Sequence, residues 1–260
     1  FDYWDKRYDE SIEKLTQIVE QGTENPTVFK SRGDAYYELA QYEKALADYQ
    51  KAIVLKPDNT AAYLSSGNTN AQLNRFDKAF QDYDRAIQLD SDYSHAFVGR
   101  GLAHHNLGRY EEALSDYAQA IQLNPKYATA YNNRGIVYHK TGRLSESIEE
   151  YDHAIRLQEN ATRYANRGEV YFTMGQYLKA QNDFEKSLAL QPGYSFALSG
   201  LAITYHAFGE ITESHALWRQ LVAKDERHMD VDWVGKEYDW TEPLIEEARK
   251  LIASLKDADD

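Results

Sequence analysis

A fixed period constrains this chain more than any other feature of its sequence. Gly33, Gly67, Gly101, Gly135, Gly168 and Ala202 are separated by 34, 34, 34, 33 and 34 residues. Ala45, Ala79, Ala113, Ser147, Ala180 and Ser214 keep the same step, and so do Tyr49, Tyr83, Tyr117, Tyr151, Phe184 and Trp218. Within the period 94–127, Phe97, Gly101 and His104 lie three and four residues apart, on one face of a helix. After Gly108 the phase resets, and Tyr110, Ala113, Leu114, Tyr117, Ala120 and Ile121 mark a second amphipathic face. Gly108 suits the left-handed residue that ends the first helix, and Pro125 stops the second. Neither helix can bury its apolar stripe alone, so each unit needs neighbours. One extended array therefore replaces the one or two globular domains that 260 residues would otherwise suggest.

A 34-residue helix–turn–helix unit carrying Gly, Tyr, Ala, aromatic, Ala and Pro in that order resembles the tetratricopeptide-repeat (TPR) family. The resemblance covers six tandem copies, 26–59, 60–93, 94–127, 128–160, 161–194 and 195–224. It implies an all-α fold, a right-handed superhelical solenoid of helix–turn–helix units. The YNNRG and GRYEEAL wording is similar to bacterial members, particularly cyanobacterial or organellar ones, some of which assist assembly of membrane complexes. Residues 1–25 read as the second half of a further repeat, with Tyr8, Ser11, Leu15 and Ile18 in the places of Tyr42, Ala45, Tyr49 and Ala52. Phe1, Tyr3 and Trp4 are then the end of a lost helix or an aromatic plug over the open end. The single slip in period, at Asn160, predicts a tighter turn, and the sequon Asn160-Ala161-Thr162 reads as an ordinary polar loop. After Lys224 the residues 225–241 lack helical periodicity. Leu244, Ile245, Ala248, Leu251, Ile252 and Leu255 then predict a capping helix over 242–256, started by Thr241 or Asp239, with Pro243 in its first turn.

Composition narrows the function. A net charge of −13 argues against nucleic acid, whose binding rests on Lys and Arg neutralising phosphate, and against docking to anionic lipid. No stretch of these residues is apolar enough for direct membrane insertion or reads as a secretory signal, and a signal or anchor upstream of Phe1 stays open. With no Cys, thiolate metal sites and disulfides are excluded. The compartment stays open: cytoplasmic is the first expectation, with periplasm or an organelle as alternatives. No Ser/His/Asp order, paired-carboxylate motif or HExxH appears, and Gly99-Arg100-Gly101 has no strand before it, so no catalytic residue and no cofactor is expected.

The resemblance places ligands on the inner face, lined by the first helix of each repeat. Relative to the repeated Gly, the inward positions are six, three and two before, and one, four and five after. They give a candidate peptide-binding set of Lys30, Asp34, Tyr37, Leu64, Asn68, His95, Val98, Leu102, His105, Asn132, Ile136, His139, Glu169, Phe172, Ile203 and His206. The charges among the inward positions are Lys30, Lys140, Asp34, Glu38 and Glu169, so the chain's acidity is assigned to outer helices, at Glu111, Glu112, Asp116, Glu146, Glu149 and Glu150. The middle of the groove is apolar, and Leu102 with Ile136 are its expected anchors. The carboxylate clamp of chaperone-binding members is not matched: Lys30 is present, but Asp34, Ser65, His95 and Gly99 stand at the other places. His95, His105, His139 and His206 share the groove, yet helices a repeat apart lie roughly 8–10 Å from each other, so shared ligation of a zinc ion would be strained and no metal site is expected. The expected function is a non-catalytic scaffold that binds a peptide or helical segment of a protein partner. A homo-oligomer formed through the N-terminal end, or a docking domain of a longer enzyme, are the alternatives.

Overall fold

The computed structural model describes residues 2–259, with side chains over 7–258. Tyr3 and Trp4, expected to be a plug or a helix remnant, lie outside the residues whose side chains are described. The described residues form α-helices that pack in successive antiparallel pairs, grouped into two compact units, Phe1–Pro125 and Lys126–Asp260. The first unit holds α1 (Asp2–Glu20), α2 (Pro26–Glu38), α3 (Tyr42–Leu55), α4 (Thr60–Gln72), α5 (Phe76–Leu89), α6 (Ser94–Asn106) and α7 (Tyr110–Leu123). The second holds α8 (Ala128–Lys140), α9 (Leu144–Leu157), α10 (Ala161–Thr173), α11 (Tyr177–Leu190), α12 (Ser195–Phe208) and α13 (Ile211–Lys224), followed by α14 (Val231–Glu237) and α15 (Glu242–Asp259).

The period is visible in the packing. Tyr49, Tyr83, Tyr117, Tyr151, Phe184 and Trp218 are at most 1% exposed, each wedged between the two helices of its repeat. The opposing glycine makes room for the ring: a Cβ on Gly33 would stand 2.7 Å from Tyr49 Cε1. Gly99 and Gly200 face the ring of the preceding repeat instead, and a Cβ on Gly200 would come within 2.4 Å of Phe184. Gly99 is thus a packing residue. The helix-to-helix turns reuse one left-handed residue, supplied by Gly108, Gly142, Gly175 and Gly209 but by Ala40 at φ 54° in the first repeat and by Asn74 at φ 56° in the second. For an L-residue that conformation costs about 1–2 kcal/mol. Ala40→Gly is expected to stabilise the protein, by about 0.5–1 kcal/mol after the entropy of glycine is deducted, in urea unfolding.

The period slip appears as a three-residue link, 158–160, in which Asn160 Oδ1 accepts from the Arg163 N–H at 2.9 Å and caps α10. At the N-terminus α1 packs on α2, and Thr16 Oγ1 accepts from Arg32 Nη1 at 3.2 Å. The connector 225–241 departs from its expected irregularity: it forms a 3₁₀ turn, Glu226–Met229, and α14. It is too short to show a helical period, and caps start both pieces, Asp225 accepting from Arg227 N–H and Asp230 from Asp232 N–H.

A buried ion-pair ladder, absent from the sequence reading, ties the first helix to the second in four of the six repeats. The residue before the repeat glycine reaches a carboxylate 16 positions on: Arg32 to Asp48 and Arg100 to Asp116, both with two guanidinium nitrogens, and Arg134 to Glu150. Arg167 likewise grips Asp183 at 2.7 Å with two nitrogens. Asp116 and Glu150 are therefore not part of a solvated acidic surface. Both are buried, because each satisfies a guanidinium that would otherwise be desolvated alone.

Candidate functional site

In the first unit the expected inner-face residues share the first helices α2, α4 and α6. Lys30 Nζ donates to Asp34 at 2.7 Å, so the one cation at a clamp position is neutralised one turn away. Tyr49 hydroxyl donates to Asp34 Oδ1 at 3.0 Å, and Tyr83 hydroxyl donates to Asn68 Oδ1 at 2.9 Å. The residue after each of these glycines thus receives the hydroxyl of the core tyrosine from beneath. Burial, with Asp34 alongside, pushes the Tyr49 phenol well up. Asp34, Tyr37, Glu38, Tyr49, Ser65 and Asn68 line a pocket of about 190 Å³. In the third repeat the same position is Leu102, which cannot accept a hydrogen bond and stands 43% exposed in mid-helix. His95 is exposed beside Tyr93, and His105 half-buried beside Tyr110. Leu64 is half-buried against Tyr83 and Ala103. Val98 departs from expectation: it is buried, turned into the helix packing and not toward solvent.

In the second unit the expected groove is occupied by the chain itself. After α13 the polypeptide turns back, and α15 packs on α12 and α10 as well as α13. Phe172 and Ile203, expected to line an open floor, are 3% and 0% exposed and share one core with Leu244, Leu251 and Leu255. His206 Nδ1 lies 2.6 Å from Glu247 Oε1 on α15. Lys140 binds Asp239 through both its backbone carbonyl and its carboxylate, and Thr173 and Thr241 hydroxyls are 3.2 Å apart. Thr241 therefore links to a first helix. His139 and Glu169, expected at the surface, are buried beneath this segment. Asn132 and Ile136 remain half-buried, with Asn166 donating to Asn132 at 3.3 Å. The expected cap is thus also a lid on the inner positions of its own unit. The sequence did hold a signal for it: the apolar stripe of 242–256 needed an apolar partner, and Phe172 and Ile203 were unassigned apolar residues.

Covering these groups changes their chemistry. Burial pushes Glu169 up to about 8, with Lys140 only partly opposing, and burial lowers His139 to about 4. Glu169 Oε1 has no hydrogen-bond partner and sits 4.0 Å from His139 Nδ1. A carboxyl whose folded value exceeds its unfolded 4.5 contributes stability that is lost as pH rises from there toward about 8. His139 works in the opposite direction, losing stability as pH falls from 6.5 toward about 4. Glu169→Gln is expected to flatten the fall in melting temperature between roughly pH 6.5 and 8 and to gain about 1–3 kcal/mol at the upper end. A variant melting with the parent's pH slope would remove Glu169 from that account.

Among the described residues no three His, Asp or Glu side chains converge as metal ligands, and no helix is long and apolar enough to cross a membrane.

Packed helix pairs at a constant period, with an aromatic wedged against a glycine, define a tandem helical-repeat protein. The chain belongs to the tetratricopeptide-repeat family: the TPR repeat model matches 33–74, 67–108 and 105–142, and the tetratricopeptide repeat model matches 126–192. No curated protein matches the sequence significantly. Among solved structures, the APC/C hetero-tetramer Cut9–Hcn1 superposes with a TM-score of 0.75 at 18% identity over 84% of this chain. This chain spans only 44% of that protein's length. Pseudomonas aeruginosa PilF gives a TM-score of 0.67 at 18% identity, covering 84% of this chain and 94% of that one. YrrB, described as a TPR protein with an unusual peptide-binding site, gives 0.51 at 22% identity, covering 72% and 97%. At these identities the likeness is one of fold.

Proposed function

We propose that this protein is a non-catalytic scaffold whose first-unit inner face, on α2, α4 and α6, binds a peptide or helical segment of a protein partner. The observation that carries the reading is Leu102, a large apolar side chain left 43% exposed at a mid-helix position. The matching positions of the preceding repeats instead hold polar acceptors for a core tyrosine. Around Leu102, the half-buried Leu64 offers a second apolar contact, while Tyr37, Asn68 and His105 offer hydrogen bonds. Lys30 and Asp34 cancel each other, so burial sets affinity and hydrogen bonds set register. The ligand is an extended or amphipathic segment with two or three apolar anchors. The peptide-binding site reported for YrrB makes the same use of a TPR array plausible for this chain. The second-unit positions His139, Glu169, Phe172, Ile203 and His206 serve the chain's own C-terminal segment, with Asn132 and Ile136 beside it.

A phage-displayed peptide library selected on the intact protein tests this. Enriched peptides are expected to carry spaced Leu, Ile or Phe, to lose at least about ten-fold in affinity on Leu102→Glu, and to respond weakly to salt. The variant's far-ultraviolet dichroism should stay helical. Peptides that bind the folded variant as well as the parent would move the site elsewhere.

A further inference from the structure

The ion-pair ladder lacks its arginine in two repeats, at Ser66 in the second and Leu201 in the sixth, and of these the second alone keeps the acceptor carboxylate, Asp82, where the sixth has Leu217. In register, Arg32, Arg100 and Arg167 each lie between the carboxylate of their own second helix and a residue of the preceding second helix. Arg32 meets Asp48 and Thr16, Arg100 meets Asp116 and Asp84, and Arg167 meets Asp183 and Asp152. In the second repeat the arginine position is Ser66, while its acceptors are retained as Asp82 and, 34 residues before Asp84, Gln50. The volume an arginine would fill is open. Ser66, Asn70, Asp82, Gln50, Glu43 and Arg75 are among the residues lining a pocket of about 560 Å³. Ser66 Oγ at 2.7 Å and Asn70 Nδ2 at 3.0 Å both donate to Asp82 Oδ2. Among the described residues no donor reaches Asp82 Oδ1. Arg75 does not fill the gap, because both its terminal nitrogens are held by Glu43 at 2.5 and 3.1 Å, and Lys78, which also lines the pocket, makes no hydrogen bond to Asp82.

We propose that this pocket is a socket for the guanidinium group of an arginine side chain on a protein partner. The occupant's chemistry is given by the molecule itself: other repeats place a guanidinium at the equivalent position and grip it with the equivalent carboxylate. A planar fork can engage Asp82 Oδ1 and the Gln50 carbonyl together, whereas an ammonium offers one compact point charge. A free amino acid would bring its own carboxylate beside Asp82, and a peptide-borne arginine brings none. Ser66 immediately precedes the repeat glycine and points to α5, so the socket is separate from the inner face around Leu102, and the two readings stand or fall independently.

The test uses the intact chain, isotope-labelled, titrated at constant ionic strength with N-acetyl-argininamide, N-acetyl-lysinamide and free L-arginine. The capped arginine is expected to shift the Asn70 side-chain amide and the Ser66 backbone amide saturably, and to bind at least about ten-fold more tightly than the capped lysine. Free arginine should bind more weakly than the capped form. Ser66→Arg, which supplies the rung internally, should raise the melting temperature and abolish saturable binding. If that variant fails to fold, Asp82→Asn carries the same expectation of lost binding. Equal responses to arginine and lysine, or binding that survives a folded variant, would overturn the socket. Free arginine binding as tightly as the capped form would overturn its assignment to a protein partner.

Discussion

Removing residues 242–260 is expected to leave a protein that melts far below the full chain and aggregates. Leu244, Ala248, Leu251, Ile252 and Leu255 are at most 5% exposed, all on the face of α15 that meets the first helices of the second unit. Burying each large side chain is worth about 1.5–3 kcal/mol, so losing four of them costs an amount comparable with the whole stability of an ordinary domain. Truncation would also leave Phe172 and Ile203 bare, together with Leu201. Repeat arrays unfold from unprotected ends, so the loss should begin in the last repeats and spare the first unit. Hydrogen exchange can resolve this: protection should vanish first in α12 and α13, while amides of α3 and α5 keep theirs. The single change Leu251→Ala should reproduce part of the effect, at about 2–5 kcal/mol. A truncated protein with the parent's melting curve and a monodisperse light-scattering profile would show that α15 contributes little.

That expectation also marks where the sequence was legible. A period of 34 residues is local information repeated many times, so helix pairing, the aromatic wedges and the turns could all be read from spacing. What spacing could not reveal was which exposed-looking face meets which distant segment. Phe172, Glu169, Ile203 and His139 occupy inward positions by phase, and phase alone puts them at the surface. They are covered because residues 239–255 return to these helices from far along the chain, 41 positions at His206–Glu247 and 99 at Lys140–Asp239. Val98 was misjudged for a nearer reason, since the inward arc is broad and its edge already touches the neighbouring pair. The short helices at 226–237 were invisible because one or two turns are too few for a period to register. Asp116 and Glu150 looked like solubilising charges until the arginines 16 residues before them were seen to point inward. An i, i+16 pairing follows from helix-pair geometry and not from either helix's own period.

Arg167→Ala is expected to be the most damaging single substitution in the ladder. Arg167 grips Asp183, whose side chain is only 1% exposed, and also bonds Asp152 of the preceding second helix. Removing the guanidinium leaves a buried carboxylate without a counter-charge, which costs about 3–5 kcal/mol. Burial already pushes the Asp183 carboxyl up, with Arg167 holding it down, so in the variant Asp183 should take up a proton. Its destabilisation should therefore shrink as pH falls below neutrality. Replacing both partners, Arg167→Met with Asp183→Leu, should be nearly neutral, because an apolar pair carries no desolvation cost. Arg167→Met, Asp183→Leu and the double variant, unfolded in urea at pH 5 and 8, form a cycle whose coupling should exceed about 2 kcal/mol at the higher pH. A coupling near zero would mean that the ladder merely tolerates its charges and that packing around Phe184 holds the pair together. A double variant as unstable as Arg167→Ala would place the cost in the lost contact to Asp152, which alone bridges consecutive repeats at this rung.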